Sequence, residues 1–205
     1  AAGQASTPLG RDGGHQRASL DLQIDHTFAP GWRAVLANRL DMDWPAQYGQ
    51  EHHIHTLKEA WIGWQVSDTQ AFDLGRINVR FGAATGYSPT DYFRTGSIRS
   101  LVSVDPNSLK KNRQGAFMLR SQTLWDQGAL TALLSPRLAR EPSSAPFALN
   151  GGATNASNRW LLAWSQRLND RLNPQWLLYG EDQQAPQMGF NLATLVSDST
   201  IAFAE

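Results

Sequence analysis

The stretch ASLDLQIDHTF, residues 18–28, separates its side chains into two sets with a period of two. An apolar set alternates with a polar set: Ala18, Leu20, Leu22, Ile24 and Phe28 against Ser19, Asp21, Gln23, Asp25 and Thr27. Successive side chains of a β-strand point to opposite faces of its sheet. This stretch therefore predicts a strand with one apolar face and one wet face.

The same alternation recurs along the chain, and residues 32–44 repeat it with Asn38 as the one polar exception on the apolar side. Strands are predicted at 18–28, 32–44, 55–66, 71–81, 113–125, 129–134, 158–168, 175–181, 188–196 and 200–205. Several approach the roughly 9 to 11 residues that a tilted strand needs to cross a bilayer. Strands of soluble proteins are shorter on average, at about 5 or 6 residues.

Short and long connections alternate between these strands. The short turns are residues 29–31, 67–70, 126–128, 169–174 and 197–199, and the long loops are 45–50, 82–112, 135–158 and 182–187. A meander with tight turns at one end and long loops at the other is typical of outer-membrane barrels. We therefore predict an all-β, antiparallel, up-and-down transmembrane β-barrel over residues 15–205 in the outer membrane of a Gram-negative cell. Residues 1–14, with their glycines, are predicted as a flexible lead.

Aromatic residues give a second signal at the strand ends. Those beside short turns are Phe28, Trp32, Trp64, Phe72, Trp125 and Trp176, and those near long loops are Trp44, Phe81, Trp160 and Phe190. Two such bands are typical of the interfacial girdles of a membrane barrel. The alternative is that these rings close the ends of a soluble sandwich core.

Composition excludes several other classes of protein. The chain has no run near 18 apolar residues, so no helical membrane span is predicted. Eighteen basic residues balance eighteen acidic ones, which argues against a nucleic-acid partner. Cysteine is absent, so disulfides and thiolate chemistry are excluded.

The polar face of the predicted strands is strongly charged. Its candidate lumen-facing residues are Arg33, Arg39, Glu59, Arg120, Arg159 and Arg167. Charges can cover an inward face only if the interior holds water, so they predict a hydrated lumen. The alternative is that these arginines pair with acidic residues on neighbouring strands and stiffen the wall.

Residues 82–112 form the strongest candidate for a functional insert, because connections of this length are usually functional or disordered. Ser88, Pro89 and Asp91 have the order of a helix start. The loop is expected to fold into the lumen and narrow it, and an ordinary surface loop is the alternative. The candidate constriction residues are Tyr87, Asp91, Arg94, Arg99, Lys110 and Lys111.

Metal binding and catalysis find weaker support. His52, His53 and His55 are closely spaced, but no further ligand stands in register, so a polar strand end is predicted and no metal site. Ser19 and His26 share a strand, yet His26 falls on the apolar face. No nucleophile and base pair results, and no catalytic residue or cofactor is predicted.

Three short motifs between residues 57 and 91 carry a family resemblance. LKEAW at 57–61, FDLGR at 72–76 and GYSPTD at 86–91 are similar to a run found in proteobacterial outer-membrane barrels of the alginate-export and related porin-like type. The resemblance implies a large single-chain barrel with an arginine-lined lumen, in which Glu59 and Arg76 face inward. Plain alternation would turn Arg76 outward, so a bulge at Gly75 is expected.

The sequence thus predicts a channel, not an enzyme, that passes a hydrophilic or anionic solute or polysaccharide. Its expected partners are the lipid bilayer and lipopolysaccharide. The alternatives are a soluble or peripheral β-sandwich that binds carbohydrate through tryptophans, and an outer-membrane barrel enzyme. A closed ten-stranded barrel would be too narrow for the charged faces and the long loop. The ten strands are therefore expected to be part of a larger barrel that continues past Glu205, in which the first and last strands do not pair.

Overall fold

The computed structural model describes residues 16–44, 53–82, 87–99, 112–141, 153–197 and 200–205. These residues form an all-β fold with β1 Gln16–Ala29, β2 Trp32–Trp44, β3 His53–Ser67, β4 Gln70–Ile77, β5 Ala116–Trp125, β6 Gly128–Ser135, β7 Arg159–Gln166, β8 Gln175–Glu181, β9 Gln187–Ser197 and β10 Thr200–Ala204. Within this part of the chain, no helix has the length and apolar content that a membrane crossing requires. The predicted lead, residues 1–14, and the loop 45–50 lie outside the described residues.

The ten strands form one sheet in sequence order, β1 to β10, and each strand is antiparallel to its neighbours. This confirms the predicted all-β, up-and-down arrangement. Strands β1 and β10 stand at the two edges and share no ladder, as expected from the sequence. The described sheet is therefore open.

Two predicted strand ends were wrong, because β4 stops at Ile77 instead of residue 81 and β5 starts at Ala116 instead of residue 113. Between these strand ends, the Arg113 guanidinium donates from Nε to Asn78 Oδ1 at 2.7 Å. The carbonyl of Val79 accepts a second bond from the same guanidinium. These side-chain bonds join the two segments just beyond the last ladder pair, Ile77 opposite Ala116.

The alternation in the sequence produces two different faces. We call the side on which residues 87–99 pack the loop face, and the opposite side the bare face. The bare face carries large apolar side chains that are exposed: Leu20, Leu22, Ile24, Leu36, Ile62, Leu74, Leu119, Leu130, Leu134, Leu162 and Met188. No described residue packs over them, and they run from β1 to β9.

The buried core lies on the loop face of β5 to β8. Its members are Ile77, Val79, Phe93, Ala116, Met118, Leu133, Leu161, Ala163, Leu177 and Tyr179. Phe93 comes from the loop, while Met118, Leu133, Leu161 and Leu177 come from four adjacent strands. These strands are therefore apolar on both faces, with protein on one side only.

Gly75 is the irregular point of β4, although not as a bulge. The register of β4 runs unbroken against both β3 and β5 through this residue, so the expected bulge was wrong. Instead Gly75 has a φ of 136°, which side chains rarely adopt. A Cβ at this position would lie 2.3 Å from the carbonyl oxygen of Ala60 and 2.7 Å from Cα of Trp61.

Gly75→Ala is predicted to lower the free energy of unfolding by about 1–3 kcal/mol, because alanine would adopt a strained φ against the β3 backbone. Urea unfolding of the purified protein measures the change. Ser121→Ala on β5 serves as the control, since it removes only a half-buried hydroxyl from a neighbouring strand. Equal stability of the wild type and Gly75→Ala would show that β4 relaxes without cost.

Candidate functional site

The described part of the long loop is a chain of turns, so the predicted helix start at Ser88 was wrong. Three successive hydrogen bonds each run from a backbone amide to the carbonyl three residues earlier. They join Asp91 to Ser88 at 3.3 Å, Arg94 to Asp91 at 3.1 Å and Ser97 to Arg94 at 3.1 Å. The side chain of Ser88 donates to Glu205 Oε2 at 2.6 Å instead of capping a helix. The Ser88 hydroxyl, which was expected to cap a helix, therefore connects the loop to the residue after β10.

A buried ion pair closes the base of the loop. Arg113 Nη1 donates to Asp91 Oδ2 at 2.6 Å, and each side chain is only 3% exposed. Arg113 lies just before β5 and Asp91 lies in the turns, so the pair ties these turns to the start of β5. Removal of either partner of a buried pair is costly, because the other charge is then left buried without a counter-ion.

Aromatic contacts seat the loop on β7 and β8. Tyr92 stacks on Tyr179 with ring centroids 4.5 Å apart, and Phe93 meets the same ring edge-on at 6.1 Å. The Arg159 guanidinium lies 4.7 Å from the centre of the Phe93 ring. Burial raises the pKa of Tyr92 above its ordinary value, so its hydroxyl remains neutral throughout the physiological range.

Hydrogen bonds extend this attachment to β9. The Thr90 hydroxyl and the side-chain amide of Asn191 form a hydrogen bond of 2.7 Å, and both residues are buried. The loop therefore contacts the sheet from β7 to β9 and reaches Glu205 just past β10.

Arg76 and Arg159, two of the expected lumen residues, are buried supports beneath the loops. Arg76 is 5% exposed, and its Nη1 donates to the Gly115 carbonyl at 2.5 Å and to Thr154 Oγ1 at 3.1 Å. The guanidinium of Arg159 donates to the carbonyl of Thr154. Both charges bind backbone and hydroxyl oxygens of the loops, so they are not displayed to solvent.

The loop face of β1 to β5 has a different character, because it is a lattice of ion pairs. The pairs are Arg33 with Asp25, Arg39 with Asp21 and Asp41, Lys58 with Asp21, and Arg120 with Asp73. Four cations thus meet four carboxylates, and each pair outside β2 itself joins different strands. This arrangement matches the alternative weighed above, in which wall arginines bind acidic neighbours.

Trp61 stands at the centre of this lattice, and sequence reasoning missed it. Arg33, Gly63, Asp73 and Arg120 lie directly opposite one another across β2 to β5. The Trp61 ring extends over Gly63, where a Cβ would come within 3.0 Å of it. The guanidiniums of Arg33 and Arg120 lie 5.6 and 5.5 Å from the ring centre. The feature of the sequence that could have indicated this position is Gly63, two residues after Trp61, because a glycine leaves room for the ring.

The remaining predicted residues fall in several places. Glu59 accepts a bond from the Asn78 amide at 3.3 Å, and Arg167 is exposed beyond the end of β7. Arg94 lies 5.5 Å from the centre of the exposed Tyr87 ring, beside a cleft of about 380 Å³ that Asp91 also lines. Arg99 is half-buried in the loop. Lys110 and Lys111 lie outside the described residues.

The rings on the bare face form two connected groups at the short-turn end. Phe28, Trp32, Trp64 and Phe72 follow one another across β1 to β4 at centroid distances of 6.2, 5.6 and 6.4 Å. Trp164, Trp176 and Phe190 do the same across β7 to β9 at 4.8 and 6.0 Å. Phe190 was expected near the long loops, but its register opposite Trp176 places it in the second group at the short-turn end. We call these two groups the ring belts.

The histidines and the catalytic candidates are not brought together. In the described ranges, no three histidine, cysteine, aspartate or glutamate side chains are close enough to hold a metal ion. His53 packs edge-on against Trp44 at 6.4 Å, and His52 lies outside the described residues. Ser19 donates to Asp41 at 2.6 Å, whereas His26 lies on the bare face.

No family model matches this chain, and no curated protein sequence matches it either. The resemblance of residues 57–91 to the alginate-export and porin-like barrels therefore remains a prediction from three motifs. The two faces of the sheet and the loop are therefore the features that bear on function.

Asp91→Asn is predicted to detach the loop, because it leaves the Arg113 charge buried without a counter-ion, a loss of about 3–5 kcal/mol in comparable buried pairs. Hydrogen exchange of residues 88–97 should become much faster while β1 to β4 keep their protection. Asp25→Asn is the matched control: it makes the same chemical change in an exposed pair and should leave the loop protected. Unchanged exchange in Asp91→Asn would mean that the aromatic contacts alone hold the loop.

Proposed function

We propose that this chain forms wall strands of an outer-membrane channel that passes a hydrophilic solute. The observation that carries the proposal is the contrast between the two faces of one continuous sheet. The bare face is apolar and unpacked across nine strands, while the loop face carries ion pairs over β1 to β5. A wall between lipid and water requires that contrast.

The bare face supports a lipid environment on energetic grounds. A soluble protein rarely exposes a contiguous apolar patch larger than a few hundred Å², because each Å² left in water costs about 25 cal/mol. Near Trp160 this face also contains an apolar groove of about 390 Å³, lined by Leu74, Phe117, Leu119 and Leu134. In a bilayer these side chains would contact acyl chains, including those of lipopolysaccharide.

The ring belts support an orientation in that bilayer. Trp32, Trp64, Trp164 and Trp176 lie on the bare face close to the short turns. Indole rings favour the headgroup level, where an apolar body and a polar N–H are both accommodated. The short-turn end would therefore lie at one interface, and the long-loop end at the other.

The open edges of the sheet support a barrel of more than ten strands. Strand β1 has 14 residues, and among the described strands only β2 pairs with it, which leaves its other side unpaired there. Unpaired backbone groups are too costly in hydrocarbon, so a membrane sheet must close on itself. Further strands are proposed to pair with β1 and β10, in a ring wide enough to contain the loop.

The ion pairs of the loop face indicate which net charge the solute has. Each cation in the lattice is matched by a carboxylate, so the wall has little net field to select anions. It still offers many donors and acceptors to water and to hydroxyl groups. A hydrophilic solute of low net charge fits this wall better than a strictly anionic polymer.

The sandwich alternative has less support. A β-sandwich covers its apolar face with a second sheet, whereas the described residues form a single sheet whose apolar face is bare. Its tryptophans also stack on one another, as Trp164 does on Trp176, which leaves less ring area for a sugar.

The protein is predicted to fold only in detergent or lipid, to migrate faster on gels before boiling than after it, and to raise the conductance of planar bilayers in discrete steps. Boiled protein is the control, because it contains the same polypeptide without the sheet. A protein that is soluble and monomeric without detergent, with one gel position and no conductance, would refute the proposed channel.

A further inference from the structure

The loop divides the loop face of the sheet into two unequal halves. Its described residues pack on β7 to β9, where Leu161 is 0% and Leu177 3% exposed. Over β1 and β2 the described loop makes no such cover, and the side chains of Arg33 and Asp25 are 53% and 41% exposed. We call the loop face of β1 to β4 the open half.

We infer that solutes pass along the open half, and that the Arg33–Asp25 pair beside Trp61 is a specificity-determining element of that path. This inference rests on the proposed channel function and adds the location of the pore to it. A channel through the other half would have to displace a close-packed core, which has no voids of the size of a solute. The open half instead presents the Arg33–Asp25 pair, whose side chains are 53% and 41% exposed and can exchange water for a solute.

The position of Arg33 within the open half follows from its neighbours. Arg33 lies directly opposite Gly63, but the space above that glycine is filled by Asp73 and by the Trp61 ring. The Arg33 side chain therefore extends beyond them and binds Asp25 on the edge-side strand. The corresponding arginine on the far side of the ring, Arg120, is only 21% exposed and is held by Asp73. Arg33 is thus the arginine of this row that reaches furthest into solvent.

The absence of cysteine from the sequence permits a direct test with single-cysteine variants. Arg33→Cys places a thiol in the open half, Ala163→Cys places one under the loop, and Leu22→Cys places one on the bare face. Each variant is reconstituted in a planar bilayer, and its conductance is recorded before and after a charged methanethiosulfonate reagent is added. Mass spectrometry of the recovered protein reports whether the thiol reacted.

The expected result is a roughly twofold loss of conductance after modification of Arg33→Cys, because the added group narrows the path. Ala163→Cys and Leu22→Cys should remain unmodified and unchanged in conductance. A larger effect at Ala163→Cys, or modified Arg33→Cys with full conductance, would overturn the assigned path while the channel function stands. If no variant and no wild-type protein conducts, the proposed function itself fails, and the inference fails with it.

Discussion

Backbone pairing within one sheet is the constraint on which the rest of this structure depends. Every strand from β2 to β9 has a neighbour on each side, so the polar groups of these strands are satisfied without any second layer. The sheet can then leave one entire face without protein cover. That freedom allows Leu22, Ile62 and Leu162 to stand exposed on the bare face, where a second sheet would pack in a sandwich.

The described loop residues cover the sheet on one face only. The buried pair of Asp91 with Arg113 and the stack of Tyr92 on Tyr179 fix the described turns against the strands. The loop face of β5 to β8 becomes a buried core as a result, whereas Arg33 and Asp25 on the same face remain about half exposed. A single insertion between β4 and β5 thus gives the two halves of one sheet different chemistry.

Strand alternation was readable in the sequence because it is local. It correctly predicted ten strands, their order and the apolar set that includes Leu36 and Trp164. The loop anchors could not be read in the same way, since Asp91 and Arg113 are 22 residues apart and meet only in the folded chain. The burial of Leu161 under the loop could not be read locally either, because the run Leu161–Trp164 is apolar on both faces and has no period of two.

The proposed channel requires that the bare face meets lipid while the loop face meets water, and nitroxide accessibility along β1 distinguishes these two environments. Spin labels on single cysteines at residues 20–25 sample both faces, since all six side chains are exposed. In proteoliposomes we expect collisions with oxygen to peak at positions 20, 22 and 24, and collisions with a water-soluble nickel complex to peak at 21, 23 and 25. Equal access of the nickel complex to all six positions would contradict this expectation.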